Sequence, residues 1–427
     1  MPNACSSEVI RLYPLHRVLI YTITCDFHFY RSIKIIFRIL APMIQKIETE
    51  RIPIKLWLNK LEPGALQQAK DLANLSIAFR HIAIMPDAHQ GYGMPIGGVM
   101  ATKDSIIPNA VGVDIGCGMC SLRTNRKHIE QHDLKEIMRI IRQTIPVGFK
   151  HHKERQNESW MPARNEDLLI VNQEYDRAMN QIGTLGGGNH FIEIQKGTDG
   201  YVWIMVHSGS RNIGFTVANH YHKKAVEESA KIKGNNTPKD LSYFVRGSDG
   251  YENYFKEMNY CIEFALQSRK LMMERIKEAF TEVLPDVAFS NFINKPHNFA
   301  AWETHFDTNV IVHRKGATRA EEGEWGMIPG SQGTSSFLVK GKGNPLSFNS
   351  CSHGAGRTMS RNEARRSLNL KAETERMNKL GVLHALRHKK DLDEAPGSYK
   401  DIQEVMALQK DLVDIQVELT PLAVIKA

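Results

Sequence analysis

A series of glycine-rich polar loops, each set beside a short apolar run, constrains this chain more than any other feature. Glycine lets a backbone take positive φ or approach a ligand closely, so such loops belong on a scaffold that converges them on one site. From Arg51 onward they alternate with helical and strand-like stretches. Leu66, Ala69, Leu72 and Ala73 place an apolar stripe on one helix. Tyr254, Met258, Cys261, Ala265, Met272 and Phe280 recur at helical spacing and predict a long helix over residues 251–283. Runs such as Tyr201–Val206 and Phe191–Ile194 read as strands. No internal repeat or low-complexity tract interrupts the pattern, which predicts an α+β fold: a single catalytic body of mixed sheets flanked by helices, spanning residues 43–427.

Residues 1–42 differ from the rest. They mix Tyr, Ile, Phe and Arg without a helical or strand period and hold Cys5 and Cys25, two of the six cysteines. Met43 then opens a regular charged segment. The expectation is that Met43 is the true start and that residues 1–42 are an extension with no folded role. Part of the net charge of +8 also sits there, where Arg11, Arg17, Arg31, Lys34 and Arg38 oppose Glu8 and Asp26. The remaining positive excess is a mild lean towards a polyanionic partner.

Six cysteines in 427 residues do not make a disulfide framework. Cys117 and Cys120 form a CxxC with no second pair, which argues against structural zinc. A reducing cytoplasm is the expected compartment. No apolar run approaches the length of a membrane helix, so no membrane association is expected.

The loops carry the chemistry. In Ala110-Val-Gly-Val-Asp-Ile-Gly-Cys-Gly-Met119, Asp114 and Cys117 lie three apart between glycines. A carboxylate and a thiolate that close suit a metal, because both are anionic when they coordinate, although alone the loop also reads as a glycine-rich turn with a buried cysteine. Gly183-Thr-Leu-Gly-Gly-Gly-Asn-His-Phe-Ile-Glu193 resembles a phosphate-cradling nest, or else a flexible hairpin; it is not a Walker loop. In Met205-Val-His-Ser-Gly-Ser-Arg211, His207 at a strand end is well placed as a ligand and Arg211 suits a phosphate, or else the segment is a polar loop capping that strand. His297, in Lys295-Pro-His-Asn298, alone would read as structural. With Asp114, Cys117, His190 and His207 it completes a set of five, enough for two adjacent ions sharing one anionic ligand. Ligand softness leaves the metal open: thiolate and imidazole favour zinc, carboxylate and phosphate oxygens favour manganese or magnesium.

Pro329-Gly-Ser-Gln-Gly-Thr-Ser-Ser-Phe337 offers hydroxyls and backbone N–H groups to a phosphate or base edge, or is a polar surface loop. In Ser350-Cys-Ser-His-Gly-Ala-Gly-Arg-Thr-Met-Ser-Arg361, a Gly-Ala-Gly turn leaves one nitrogen of His353 accessible beside Arg357 and Arg361. A neutral imidazole nitrogen can attack a nucleotide α-phosphate and form a phosphoramidate. The same turn also suits a helix entry with an exposed histidine.

Taken in order from about Pro53 to Lys426, these loops resemble the RtcB family of RNA-splicing ligases. Val111-Gly-Val-Asp-Ile-Gly-Cys-Gly-Met119 and His353-Gly-Ala-Gly-Arg357 carry most of the resemblance, and Met85-Pro-Asp-Ala-His-Gln-Gly91 and His313-Arg-Lys-Gly-Ala-Thr-Arg319 support it. It implies an RtcB-like catalytic body that joins an RNA 2′,3′-cyclic phosphate or 3′-phosphate to a 5′-hydroxyl, using GTP and two manganese ions, in tRNA splicing or RNA repair. By motif, Asp114, Cys117, His190, His207 and His297 would hold the ions, with Cys117 bridging, and His353 would be guanylylated. The guanylate site would draw on Asn189, His190, Phe191, Ile192, Glu193, His297 and Asn298. It would also take in Pro329, Gly330, Ser331, Gln332 and Ser336, then His353, Gly354, Ala355, Gly356 and Lys426. A monomer is expected, with an archease as the activating partner. Asn212 departs from the family, standing where glycine is common after Ser-Gly-Ser-Arg. Two other readings remain: a metal-dependent phosphohydrolase, which needs the ions but not His353, and a catalytically idle RNA-binding module.

Overall fold

The computed structural model describes residues 45–232 and 236–427, and in addition a short antiparallel pairing of Val18–Leu19 with Ile39–Leu40. The chain divides into two compact units, Met1–Ile44 and Gln45–Ala427. Apart from that pairing, the expectation about residues 1–42 lies outside the described residues.

The larger unit is α+β. A seven-stranded, wholly antiparallel sheet runs in the order Phe289–Pro296, Gly118–Thr124, Val202–Ser208, Phe191–Gly197, Val413–Ile425, Ser336–Gly341, Trp325–Ile328. A six-stranded mixed sheet runs Asn298–His305, Thr308–Lys315, Ile96–Thr102, Ala78–His89, Ile54–Leu56, Gln45–Ile47, with one parallel pair between Ile54–Leu56 and Ala78–His89. The chain passes from one sheet to the other at a single residue: Pro296 ends a strand of the first, Asn298 begins one of the second, and His297 is the corner.

The two runs read as strands are strands, extended to Phe191–Gly197 and Val202–Ser208. Both are buried along almost their whole length, which is why they read as continuous apolar runs. The helix expected over 251–283 spans Asp249–Val283. Ser248 caps it by accepting from the Tyr251 N–H. At about 1.5 Å per residue it is roughly 50 Å long, enough to serve two cores. Tyr251, Tyr254, Met258, Cys261 and Phe264 pack in one apolar cluster, and Met272, Met273, Ile276, Ala279 and Phe280 in another. The helix Pro63–Asn74 buries Ala65, Ala69, Leu72 and Ala73, while Leu66 is only half-buried at the edge of the stripe.

Buried polar groups tie the site-bearing segments to this frame. Arg314, fully buried, pairs bidentately with Glu303 and donates to Ser350 Oγ and the Phe348 carbonyl, both at 2.8 Å. That anchors the short strand Ser350–Ser352, which pairs with Ala317–Arg319 and leads directly into His353.

Candidate functional site

Strand register gathers the site. In the seven-stranded sheet Gly118 pairs with both Ser208 and Pro296, and His207 pairs with both Met119 and Phe191. Neighbouring strands run antiparallel, so the start of one lies beside the end of the next. Cys117 just precedes its strand, His190 just precedes Phe191, His207 is next to last in its own, and His297 just follows Pro296. Four separate sequence positions therefore arrive at one sheet edge. The glycines make the approach possible: a Cβ on Gly118 would lie 2.2 Å from the Lys295 carbonyl oxygen, and one on Gly209 would lie 2.2 Å from both Asp114 carboxylate oxygens.

The five expected metal ligands form a chain of contacts. Asp114 Oδ2 is 3.1 Å from His190 Nε2, which is 3.4 Å from Cys117 Sγ. Cys117 Sγ is 3.3 Å from His207 Nε2, which is 3.3 Å from His297 Nε2. Cys117 is thus the middle member, with Asp114 and His190 on one side and His207 and His297 on the other. The outward ring nitrogens set the tautomers: His190 Nδ1 donates to the Leu185 carbonyl at 2.9 Å, and His207 Nδ1 to the Asn189 carbonyl at 3.1 Å. Their Nε2 atoms then face inward, that of His190 against a carboxylate and a sulfur, that of His207 against a sulfur and an imidazole. Acceptors this close repel one another unless a cation lies among them. Burial, reinforced by the neighbouring histidines, holds His207 and His297 well below their ordinary pKa, keeping both neutral. Burial and Asp114 push the Cys117 thiol up, a shift a bound cation reverses. The donor set fits divalent ions.

Two residues that sequence reasoning missed hold this arrangement. Arg269, fully buried in the long helix, donates from Nη1 to the Gly116 carbonyl at 2.9 Å and the Ser208 carbonyl at 2.8 Å, and from Nε to Asn294 Oδ1 at 2.7 Å. It clamps the loop bearing Asp114 and Cys117 to the strand bearing His207. The signal was present: Arg269 falls on the apolar face that Ala265, Met272 and Phe280 define. The other is Asp87, with no exposed surface. Its Oδ2 lies 2.6 Å from His353 Nδ1 and accepts from the backbone N–H of His353 at 3.1 Å and of Gly354 at 3.2 Å. Its motif, Met85-Pro-Asp-Ala-His, was visible, but not its partner. Gly356, at φ +74°, closes the turn, where a Cβ would meet the Asp87 carbonyl oxygen at 2.1 Å.

With Nδ1 committed to Asp87, Nε2 is the free nitrogen of His353; the residue lines a cavity of about 660 Å³, and its ring stands 4.8 Å from that of His297. Asn189, Phe191, Glu193, Pro329, Gly330, Ser331, Gln332, Gly354, Ala355, Gly356 and Lys426 all line this cavity. The long C-terminal strand pairs with Phe191–Gly197 and so carries Lys426 in beside Glu193. Lys426 Nζ binds Glu394 at 2.9 Å. Burial works to raise Glu394, but Lys426 and Arg361 outweigh it and bring its pKa to about 2. Glu193 lacks such a close cation, and burial raises it to about 8. Arg357 also lines the cavity; its Nε donates to the Met359 carbonyl at 3.2 Å and its Nη1 lies 3.5 Å from Glu394, while its buried Nη2 has no partner among the described residues.

Other expected residues stand behind the walls. Ser336 Oγ receives the Gly330 N–H at 3.2 Å and Gln195 Nε2 at 3.0 Å. Ile192 packs into the apolar core. Asn298 donates to the Asp114 carbonyl at 3.1 Å and accepts from the Gly316 N–H at 2.7 Å, joining the metal loop to the segment beside His353.

Comparison with known proteins agrees in extent. The family model described as tRNA-splicing ligase RtcB matches residues 68–167 and 158–427. An Escherichia coli protein named RNA-splicing ligase RtcB1 is 38% identical over 408 residues, covering 89% of this chain and 98% of its own. RNA-splicing ligase RtcB of E. coli K12 is 37% identical over the same coverage. A tRNA-splicing ligase RtcB from Nanoarchaeum equitans is 31% identical over 441 residues, covering 86% of this chain and 92% of its own.

Proposed function

The chain belongs to the RtcB family of RNA-splicing ligases, and from that premise we propose that it joins RNA 2′,3′-cyclic phosphate or 3′-phosphate ends to 5′-hydroxyl ends through a guanylylated His353. One observation carries the reading: Asp87 fixes His353 Nδ1 and leaves Nε2 free, and His353 lines a cavity together with Glu193, Lys426 and Arg357, next to a buried ligand set.

His353 Nε2 attacks the α-phosphorus of GTP; the N–P bond forms as the bond to pyrophosphate breaks. Asp87 accepts the Nδ1–H throughout, stabilising positive charge that develops on the ring. Arg357 and Arg361 stand in the cavity wall to neutralise phosphate oxygens, and Glu193, Ser331, Gln332 and Lys426 supply polar groups to a guanine edge. An oxygen of the RNA 3′-phosphate then takes the guanylyl group from His353. The 5′-hydroxyl attacks that same 3′-phosphorus, and GMP leaves. A cyclic phosphate is first hydrolysed to the 3′-phosphate. Asp114, His190 and Cys117 would hold one manganese ion, and Cys117, His207 and His297 a second. Such ions supply charge neutralisation at the transferring phosphoryl group.

RNA is the macromolecular partner in this reading, an archease-type protein the activator, and a cytoplasmic monomer the working form. No helix among the described residues is long and apolar enough to cross a membrane, and the four described cysteines are buried and free. The test is incubation of the pure protein with manganese and α-labelled GTP. Acid-labile label on the protein, chased into a 3′-phosphorylated RNA, supports the reading. Phosphate release from RNA ends without any labelled protein would instead indicate a phosphohydrolase.

A further inference from the structure

One side of the His353 cavity is built by the strand Phe191–Gly197, the Pro329–Gln332 loop and the chain's C-terminal end. The other side comes from elsewhere in the chain and holds none of the residues expected for the nucleotide: it includes Gln90, Tyr92, Ile96, Asn109, Val113 and Lys315. It stands next to the nucleophile. A Cβ on Gly316 would lie 2.4 Å from Ile96 and 3.0 Å from His353 Cε1, so Gly316, just past the end of the Lys315 strand, packs against the imidazole with Ile96 on its other flank.

Tyr92 is the notable member. It lines the cavity, yet its side chain is 73% exposed, the most exposed of the large apolar and aromatic side chains that border the site. An aromatic ring this free normally reflects a mobile loop, but here the backbone is fixed on three sides. Buried Lys315 donates from Nζ to the Tyr92 carbonyl and, at 3.0 Å, to that of Asn109. Gln68 bonds Gly91 from both ends of its amide, at 2.7 and 3.1 Å. The Met94 N–H donates to the Tyr92 carbonyl at 2.8 Å. Gly93, at φ +66°, would bring a Cβ to 2.6 Å from the Asp240 carbonyl oxygen, so the turn is held from that side as well. Lys315 serves this purpose at a cost: burial lowers its pKa to about 7, against the pull of Asp240, and no carboxylate bonds to it.

We propose that Tyr92 is a stacking platform for the unpaired terminal base of an RNA end, holding that end beside His353. A ring with an open face on a rigid backbone loses little entropy when a base stacks on it, and every base has a π-face to offer. The exposed Val113 and the apolar Ile96 on the same wall add non-polar surface without sequence preference. This inference rests on the RNA-ligase reading for the identity of its ligand. It goes beyond that reading by assigning a surface to the RNA and by requiring the base to be unpaired.

Tyr92→Ala, Tyr92→Phe and Tyr92→Trp in the full chain test it, with binding of short fluorescent oligoribonucleotides measured by anisotropy. Alanine is expected to weaken binding of an RNA with an unpaired end by about five- to a hundredfold, the range of one base–aromatic stack. Phenylalanine and tryptophan should restore it, a blunt duplex should be indifferent, and protein labelling by α-labelled GTP should stay unchanged in all three. Following GMP transfer to a 3′-phosphorylated oligonucleotide apart from sealing to a 5′-hydroxyl partner then shows which end uses the platform. Equal RNA affinity of wild type and Tyr92→Ala would overturn the proposal, as would an unchanged wild-type affinity when the terminal nucleotide is made abasic. So would a Tyr92→Ala affected only in pull-down of a protein partner. Failure of wild type to take up label while Tyr92→Ala still loses RNA would sink the ligase chemistry and leave the platform standing.

Discussion

Asp87 Oδ2 and His353 Nδ1 are 2.6 Å apart across 266 positions of sequence, and the same carboxylate oxygen accepts the backbone N–H groups of His353 and Gly354. Burial by itself would raise the Asp87 carboxyl, but the imidazole beside it outweighs that and holds it below the usual carboxylate range. One ionised oxygen therefore fixes the rotamer, the tautomer and the backbone of His353 together.

Replacing Asp87 with Asn should keep an oxygen facing Nδ1, because the same position accepts the backbone N–H groups of His353 and Gly354. What it removes is the negative charge that stabilises the ring as positive charge develops on it. Guanylylation should fall by about a hundredfold or more, by analogy with carboxylate-to-amide changes at catalytic histidines. Circular dichroism should remain that of a folded protein. His353→Ala should abolish labelling altogether. Label uptake by Asp87→Asn at the wild-type rate would dissociate the pair from the chemistry.

Arg269→Leu tests the clamp beneath the metal loops. It leaves the Gly116 and Ser208 carbonyls and Asn294 Oδ1 buried without their shared donor. Losing several bonds to one buried cation should cost about 3 kcal/mol or more. Urea denaturation reads this directly. A variant within experimental error of wild type would show that those carbonyls find other donors.

The legible part of the site was local, and the missed part was long-range. Cys117, His190 and His207 each stand in a loop whose glycines announce close backbone approach, so each could be read in its own few residues, whereas His297, with no glycine beside it, joined only as the fifth member of the set. That they share one sheet edge depends on register, which a short apolar run does not specify. Asp87 sat in a recognisable motif, but nothing near it pointed to residue 353. Arg269 looked like an ordinary helix cation unless its phase against Ala265 and Met272 was counted. The long strand Val413–Ile425 was not foreseen either. It holds Pro421, which commonly argues against an inner strand, and the structure accommodates it with a register shift between Pro421 and Ala423. That strand is what brings Lys426 to the cavity.

Glu193 predicts a pH dependence of stability. Its carboxyl is raised from an ordinary 4.5 to about 8 by burial, with Lys426 and Gln195 opposing. Between those values the folded protein keeps a proton that the unfolded chain has released. Its contribution to stability is therefore full below pH 4.5 and lost as pH rises through 8. Glu193→Gln has no such proton to lose. Lys315, lowered to about 7, gains stability as pH rises above that value in both proteins, so the two must be compared at each pH. From pH 5 to 8.5, Glu193→Gln should gain on wild type by on the order of 3 kcal/mol in urea unfolding. Parallel stability curves would place the proton elsewhere.

Cys117 gives the sharpest test of the metal arrangement. Its sulfur is 3.4 Å from His190 Nε2 and 3.3 Å from His207 Nε2, so it stands between the two halves of the proposed ligand set. Removing a ligand at either end, as in Asp114→Ala or His297→Ala, should weaken one ion and leave the other near its wild-type affinity. Removing the middle one should weaken both, because each ion then loses its thiolate and the two lose the negative charge between them. Isothermal titration of manganese into the purified protein separates these outcomes without reference to activity. Cys117→Ala should shift both binding steps to higher concentration, while Asp114→Ala and His297→Ala each shift one. Cys117→Ser is less decisive, because a hydroxyl keeps an oxygen in place. If Cys117→Ala lost one step and kept the other, the sulfur would belong to a single ion, and the inward-turned lone pairs of His190 and His207 would serve separate centres.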